Sequence, residues 1–219
     1  MPPCRLGVLA LGDSLTVGHG GMQSGLGSQS WAHWLAQALE LPFTGLAVNG
    51  ATAADVVRDQ LPRIRGDRYD LGCVYVGVND VRALDWEAAA YERDLDTVLA
   101  ALAARCDRTL TATIPLGLGL PPAGEKVGEA NAAIERVAAR HGATVMDLRD
   151  FTGAAHVWAD RVHATATGQV EIADRAARAL GADRLPSRLA QPPAPDVAYR
   201  WHYAKRALRE HARAFRARR

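Results

Sequence analysis

The stretch Asp70–Val78 (DLGCVYVGV) is apolar at odd and even positions alike, and this constrains the fold more than any other feature of the chain. A strand with one wet face alternates, whereas a strand apolar on both faces needs cover on both, as in the middle of a parallel sheet flanked by helices. The rest of the sequence supplies that cover. Short apolar runs at Arg5–Leu11, Phe43–Val48, Arg108–Ile114 and Ala143–Leu148 read as further strands. Between and after them, Ser30–Leu41, Ala53–Ile64, Trp86–Ala104, Glu125–His141 and Gly168–Leu180 read as helices. Within Ser30–Leu41 the apolar residues Trp31, Trp34, Leu35, Ala38 and Leu39 recur at helical spacing, with Ser28 or Ser30 as cap, and Gly142 and Gly181 follow the last residues of two other helices. Alternation of strand and helix, with connections long enough to cross over, places the chain in the α/β class with a parallel sheet.

A chain of 219 residues suits one core. The reading divides it into an α/β body over 1–181, a connector over 182–196 containing Pro186, Pro192, Pro193 and Pro195, and a basic amphipathic helix from 197 to 219. The net charge of +2 conceals an asymmetry: residues 196–219 hold eight Lys/Arg against Asp196 and Glu210, leaving the body mildly acidic.

Several classes drop out. Cys4, Cys73 and Cys106 are three, widely spaced and without a CxxC pair, which argues against a disulfide framework or a zinc site and for a reducing, cytoplasmic setting. No HExxH or paired Cys/His spacing calls for a metal. The glycines between 16 and 28 lack the Gly-Lys-Ser/Thr ending of a phosphate loop, so they read as a rim over a pocket, together with 115–124 (PLGLGLPPAG). The apolar run Leu6–Leu11 is too short for a signal-peptide core, and nothing approaches the ~18–20 apolar residues that span a membrane.

In an open α/β sheet, ligands bind beyond the carboxyl ends of the strands. Four segments fall there: Gly12-Asp13-Ser14-Leu15, Asn49-Gly50-Ala51-Thr52, Gly77-Val78-Asn79-Asp80 and Asp160-Arg161-Val162-His163. Each taken singly is ordinary loop material, since Ser, Asp and Asn favour turns. Together they hold what acyl transfer needs. A serine hydroxyl is a weak nucleophile until a base takes its proton, and His163 can do so near neutrality. Asp160 can hold the imidazolium, and the Ser14 and Gly50 backbone N–H groups and the Asn79 amide can receive an oxyanion, each such donor being worth about 2.7–4 kcal/mol. Asp13 and Asp80 read as structural carboxylates that accept backbone N–H bonds. The remaining histidines read as surface or packing residues, with His19 and His156 nearest the site.

In order and spacing these four blocks resemble the conserved blocks of the SGNH, or GDSL, hydrolases over roughly residues 5–181. The resemblance implies Ser14 as nucleophile, Asp160 and His163 as its partners, and Gly50 and Asn79 beside Ser14 as oxyanion donors. It also implies a three-layer, flavodoxin-like fold with strand order 2-1-3-4-5, and hydrolysis of a small-molecule carboxylic ester without a cofactor. Val78 stands where Thr is often found and Ala164 where Pro is common, which loosens any assignment of subfamily. The acyl donor stays open among lipids, thioesters, acetylated sugars and acylated metabolites. Acyl transfer to another acceptor, or an idle triad in a binding module, are the alternatives.

In the terminal helix Val197, Trp201, Ala204, Leu208, Ala212 and Phe215 form a stripe that is expected to pack on the body. Contact with anionic lipid or an acidic protein is the other use of such a helix; no motif for reading nucleic acid accompanies the charge.

Overall fold

The computed structural model describes residues 6–18, 26–27, 29–65, 68–191 and 197–216. Cys4, His19, most of the glycine-rich rim, and Pro192, Pro193 and Pro195 of the connector lie outside those residues, as do the last three residues of the terminal segment.

Five parallel strands form one sheet in the order β2-β1-β3-β4-β5, as expected: β1 Val8–Gly12, β2 Phe43–Gly45, β3 Tyr69–Tyr75, β4 Cys106–Ala112 and β5 Thr144–Met146. Val8–Leu11 are wholly buried, and so are Cys73 and Val74 of β3 and Leu110 of β4, because helices cover both faces. On one face α2 (Trp31–Ala38) packs against α6 (Ala166–Ala179); on the other α4 (Ala88–Ala103) packs against α5 (Lys126–His141). Cys73 and Cys106 are free, buried thiols.

Element ends follow local chemistry. Ser30 caps α2 by accepting from the Ala32 N–H, Thr165 caps α6 by accepting from Gly168, and Gly142 ends α5 at φ 64°. β2 is shorter than its apolar run. Its pairing with β1 nevertheless continues, since the Leu46 and Val48 N–H groups donate to the Ala10 and Gly12 carbonyls.

Two segments differ from expectation. Ser14–Val17 form a one-turn helix, α1, directly on the end of β1, where the glycine-rich sequence predicts loop from Thr16 onward. The helix from Ala53 is regular only to Asp55 (α3), then widens into a π turn over Val56–Gln60 and tightens into a 3₁₀ turn over Leu61–Arg63. The wider winding turns Gln60 into the core, where it is fully buried.

The terminal helix α7 spans Val197–Arg216. As far as its side chains are described, its stripe does not pack on the body as expected: Val197, Trp201 and Leu208 are 82, 71 and 74% exposed. The helix is turned so that Tyr203 and Arg206 meet the loop before α6. There the Tyr203 ring stacks on Trp158 at 5.9 Å, and the Arg206 guanidinium lies 5.2 Å over the same indole. An aromatic stack with a cation over the indole holds the polar edge inward, and the apolar edge faces out.

Candidate active site

Gly12 ends β1 at φ 136°, and a Cβ there would lie 2.2 Å from the Tyr75 carbonyl oxygen, so only glycine lets the chain turn off the sheet here. Gln60 fixes that turn: it accepts from the Gly12 N–H (2.9 Å) and donates to the Gly12 carbonyl (2.8 Å). Asp13 then caps α1 by accepting from the Leu15 N–H at 2.9 Å, as the sequence suggests. From α6, Gln169 donates to the Leu15 carbonyl and accepts from the Trp31 N–H. Ser14, the first residue of α1, is thereby held from two helices and keeps 8% exposure.

The facing loop is equally fixed. Asp160 Oδ1 accepts from the backbone N–H groups of Val162 (2.9 Å) and His163 (3.0 Å). The Trp158 backbone N–H donates to the His163 carbonyl and the Gly119 N–H to that of Arg161, which tethers the 115–124 rim to this loop. Arg161 takes φ 56°, a left-handed conformation rarely found outside glycine and sustained here by those bonds.

The two segments meet at one imidazole. The Ser14 hydroxyl lies 3.1 Å from His163 Nε2, and His163 Nδ1 lies 3.1 Å from Asp160 Oδ2. A carboxylate can only accept, so Nδ1 carries the proton and Nε2 of the neutral ring is left to accept from Ser14. Asp160 is mostly buried, and burial alone would raise its pKa. Bonds from the His163 ring and the backbone N–H groups of His163 and Val162 outweigh that and hold it at about 2.

Gly50 sits in an exposed turn after the β2 extension at φ 79°. The Asn79 amide nitrogen donates to the Ala51 carbonyl at 3.0 Å and stands 3.5 Å from Asp13 Oδ2, joining the second and third blocks to the first. Burial raises the pKa of Asp13 to about 7 and that of Asp80 to about 6. Asp80 Oδ1 accepts from the Ala53 N–H, while its Oδ2 is buried without a partner among the described residues.

His33, His141 and His156 serve packing or surface contacts. His156 stacks on Phe151, and its carbonyl accepts from the Thr165 N–H. His33 stacks on Phe43, and His141 meets Asp96. Four side chains that no sequence pattern singles out matter here: Gln60, Gln169, Tyr203 and Arg206. The last donates from Nη2 to Asp160 Oδ2 at 3.0 Å. A cleft of about 350 Å³, walled in part by Pro115, Gly117, Phe151, Trp158, Arg161 and Tyr203, runs along the same loop; neither Ser14 nor His163 lines it.

The model of the GDSL-like lipase/acylhydrolase family matches residues 10–170, which span β1 to the first turns of α6 and all four segments above. The chain belongs to this family. With it, the protein is a carboxylic ester hydrolase. Among solved structures, LAE5, an alpha/beta hydrolase enzyme from the metagenome of Lake Arreo, is similar at 23% identity and TM-score 0.64, covering 80% of this chain and 94% of that one. Axe2, an acetylxylan esterase from Geobacillus stearothermophilus, is similar at 20% identity and TM-score 0.62 with the same coverage. Catalytic mutants of Axe2 replace a serine, an aspartate and a histidine, the last two three residues apart. No curated protein matches. At these identities the likeness is one of fold. No described helix is long and apolar enough to cross a membrane.

Proposed function

We propose that this family member hydrolyses its ester through an acyl-enzyme on Ser14. The observation that carries the reading is the continuous chain from the Ser14 hydroxyl through both His163 nitrogens to Asp160. His163 takes the hydroxyl proton as Ser14 attacks the carbonyl carbon, and Asp160 stabilises the imidazolium that forms. The tetrahedral oxyanion is received by the Ser14 N–H at the start of α1, the Gly50 N–H and the Asn79 amide, whose long contact to Asp13 is the one exchanged for the oxyanion. His163 returns its proton to the leaving alcohol, then activates water to release the acid and restore the hydroxyl. The matching set of residue types in the catalytic mutants of Axe2 supports this assignment. It is tested by steady-state hydrolysis of p-nitrophenyl esters of increasing chain length, with and without an acceptor alcohol. A common deacylation rate for different leaving groups on one acyl chain supports the acyl-enzyme; leaving-group dependence at every step contradicts it.

A second reading concerns α7. Val197, Trp201, Ala204, Leu208 and Ala212 are all exposed on one stripe, with exposed Arg200, Lys205 and Arg209 beside it and Glu210 as the helix's one acid. An apolar stripe bordered by cations suits the interface of an anionic lipid layer. Stripe-to-stripe pairing of two copies would instead crowd like charges. Co-sedimentation with phosphatidylglycerol vesicles, absent with phosphatidylcholine and lost in W201S/L208S, is expected. Equal binding of the variant would overturn the reading, and a concentration-dependent dimer would replace it.

A further inference from the structure

Asp160 accepts four hydrogen bonds, and the fourth comes from outside the region that the family model matches. Oδ1 takes the Val162 and His163 backbone N–H groups; Oδ2 takes the His163 Nδ1–H and the Arg206 Nη2–H. Two carboxylate oxygens offer about four lone-pair sites, so the carboxylate is saturated and has no freedom to rotate. Arg206 lies on α7, some 46 residues further along the chain and beyond residue 170. It is itself held, its guanidinium resting over the Trp158 ring on which Tyr203 stacks.

We propose that Arg206 is a positioning residue for the active site: it locks the Asp160 carboxylate against His163 and sets the pH at which the histidine becomes available as base. The inference rests on the triad reading above. Its electrostatic content follows from Arg206 and the imidazole sharing one oxygen. A fixed cation there opposes protonation of the ring and draws on the same charge that stabilises the imidazolium. The groups facing this pair are Asp13 and Ser14 from the end of β1, Asp160 and Arg161 on the histidine's own loop, and Tyr203 and Arg206 from α7. Of these, Arg206 alone donates a side-chain bond to the oxygen that holds the imidazole, among the described residues.

The test is the pH profile of kcat/KM for p-nitrophenyl acetate in full-length wild type, R206Q and R206K, with S14A as the control. In R206Q the acid limb should move to higher pH by about half a unit or more. Its plateau kcat should fall severalfold with KM nearly unchanged, and R206K should restore the limb while only partly restoring kcat. An R206Q limb superposed on wild type overturns the proposal, whatever happens to kcat. Should R206Q not melt cooperatively, R206M, which keeps the aliphatic stem over Trp158, carries the same test. Loss of folding in both variants would assign Arg206 a structural role instead. If S14A retains full activity, the triad reading itself fails, and that result is distinct from an unmoved limb in R206Q.

Discussion

Gln60 clasps Gly12 through both halves of its side-chain amide, at 2.9 and 2.8 Å, across 48 residues of chain. A second buried amide, Asn131 on α5, clasps Ile114 just past β4 in the same way, at 2.7 and 2.9 Å. Each clasp satisfies a backbone N–H where the chain leaves the sheet and no strand partner remains to do so. At Gly12 the clasp lies two residues from Ser14.

Replacing Gln60 by Leu should therefore cost more than the loss of two ordinary surface bonds. It strands a buried N–H, at about 1–3 kcal/mol, and releases the turn that aims Ser14. Thermal denaturation should show a lower midpoint, and kcat should fall with KM little changed. An unchanged midpoint would mean that the amide clasp contributes nothing.

Gly168 offers a case in which two rules oppose. Helix propensity alone predicts that Gly168→Ala stabilises α6 by up to about 1 kcal/mol. A Cβ at this position, however, would lie 1.9 Å from the His156 carbonyl oxygen, which is backbone and must move. Overpacking of about 1–3 kcal/mol or more outweighs the propensity gain. G168A should melt lower and lose activity, because the displaced backbone leads into the Asp160–His163 loop. A more stable, fully active variant would refute this.

Asp13 makes stability depend on pH. Its folded pKa, raised by burial to about 7, exceeds the ordinary value of 3.8, so the folded state holds the proton more tightly than the unfolded chain. Stability from this group is fully present below about pH 4 and is lost as pH rises towards 7, on the order of a few kcal/mol. Asp80, raised to about 6, acts in the same direction over a narrower window. Asp13→Asn should flatten the fall in melting temperature between pH 4 and pH 8. Parallel curves for wild type and variant would contradict this.

Asp160→Asn removes the charge while keeping a side chain of the same shape. Loss of the fixed acceptor for Nδ1–H should lower kcat by roughly 10⁴-fold, with the fold intact by circular dichroism. A loss below tenfold would show that Asp160 does not orient His163.

The strands and the four segments are legible in the sequence because their signals are local, whereas the sheet order follows only from the resemblance to the SGNH hydrolases. Asp70–Val78 declares a doubly covered strand, and Ser14, Asn79 and His163 each follow a strand end whose position the apolar runs mark. Gln60 and Gln169 are not legible, since an amide reaching Gly12 or Leu15 carries no local pattern and depends on tertiary approach. The π turn that aims Gln60 leaves no periodic trace over five residues. In α7 the period marks an apolar stripe, of which Val197, Trp201, Ala204, Leu208 and Ala212 are exposed. Periodicity tells that a stripe exists, not what covers it, and Arg206 with Tyr203 decides which edge turns inward.

The most direct measurement is labelling of wild type and Ser14→Ala with a fluorophosphonate, mapped by mass spectrometry alongside p-nitrophenyl ester turnover. The account predicts one label, on the peptide containing Ser14, and the loss of both label and turnover in the variant. A folded wild type that neither labels nor turns over, or a variant that keeps both, would contradict it.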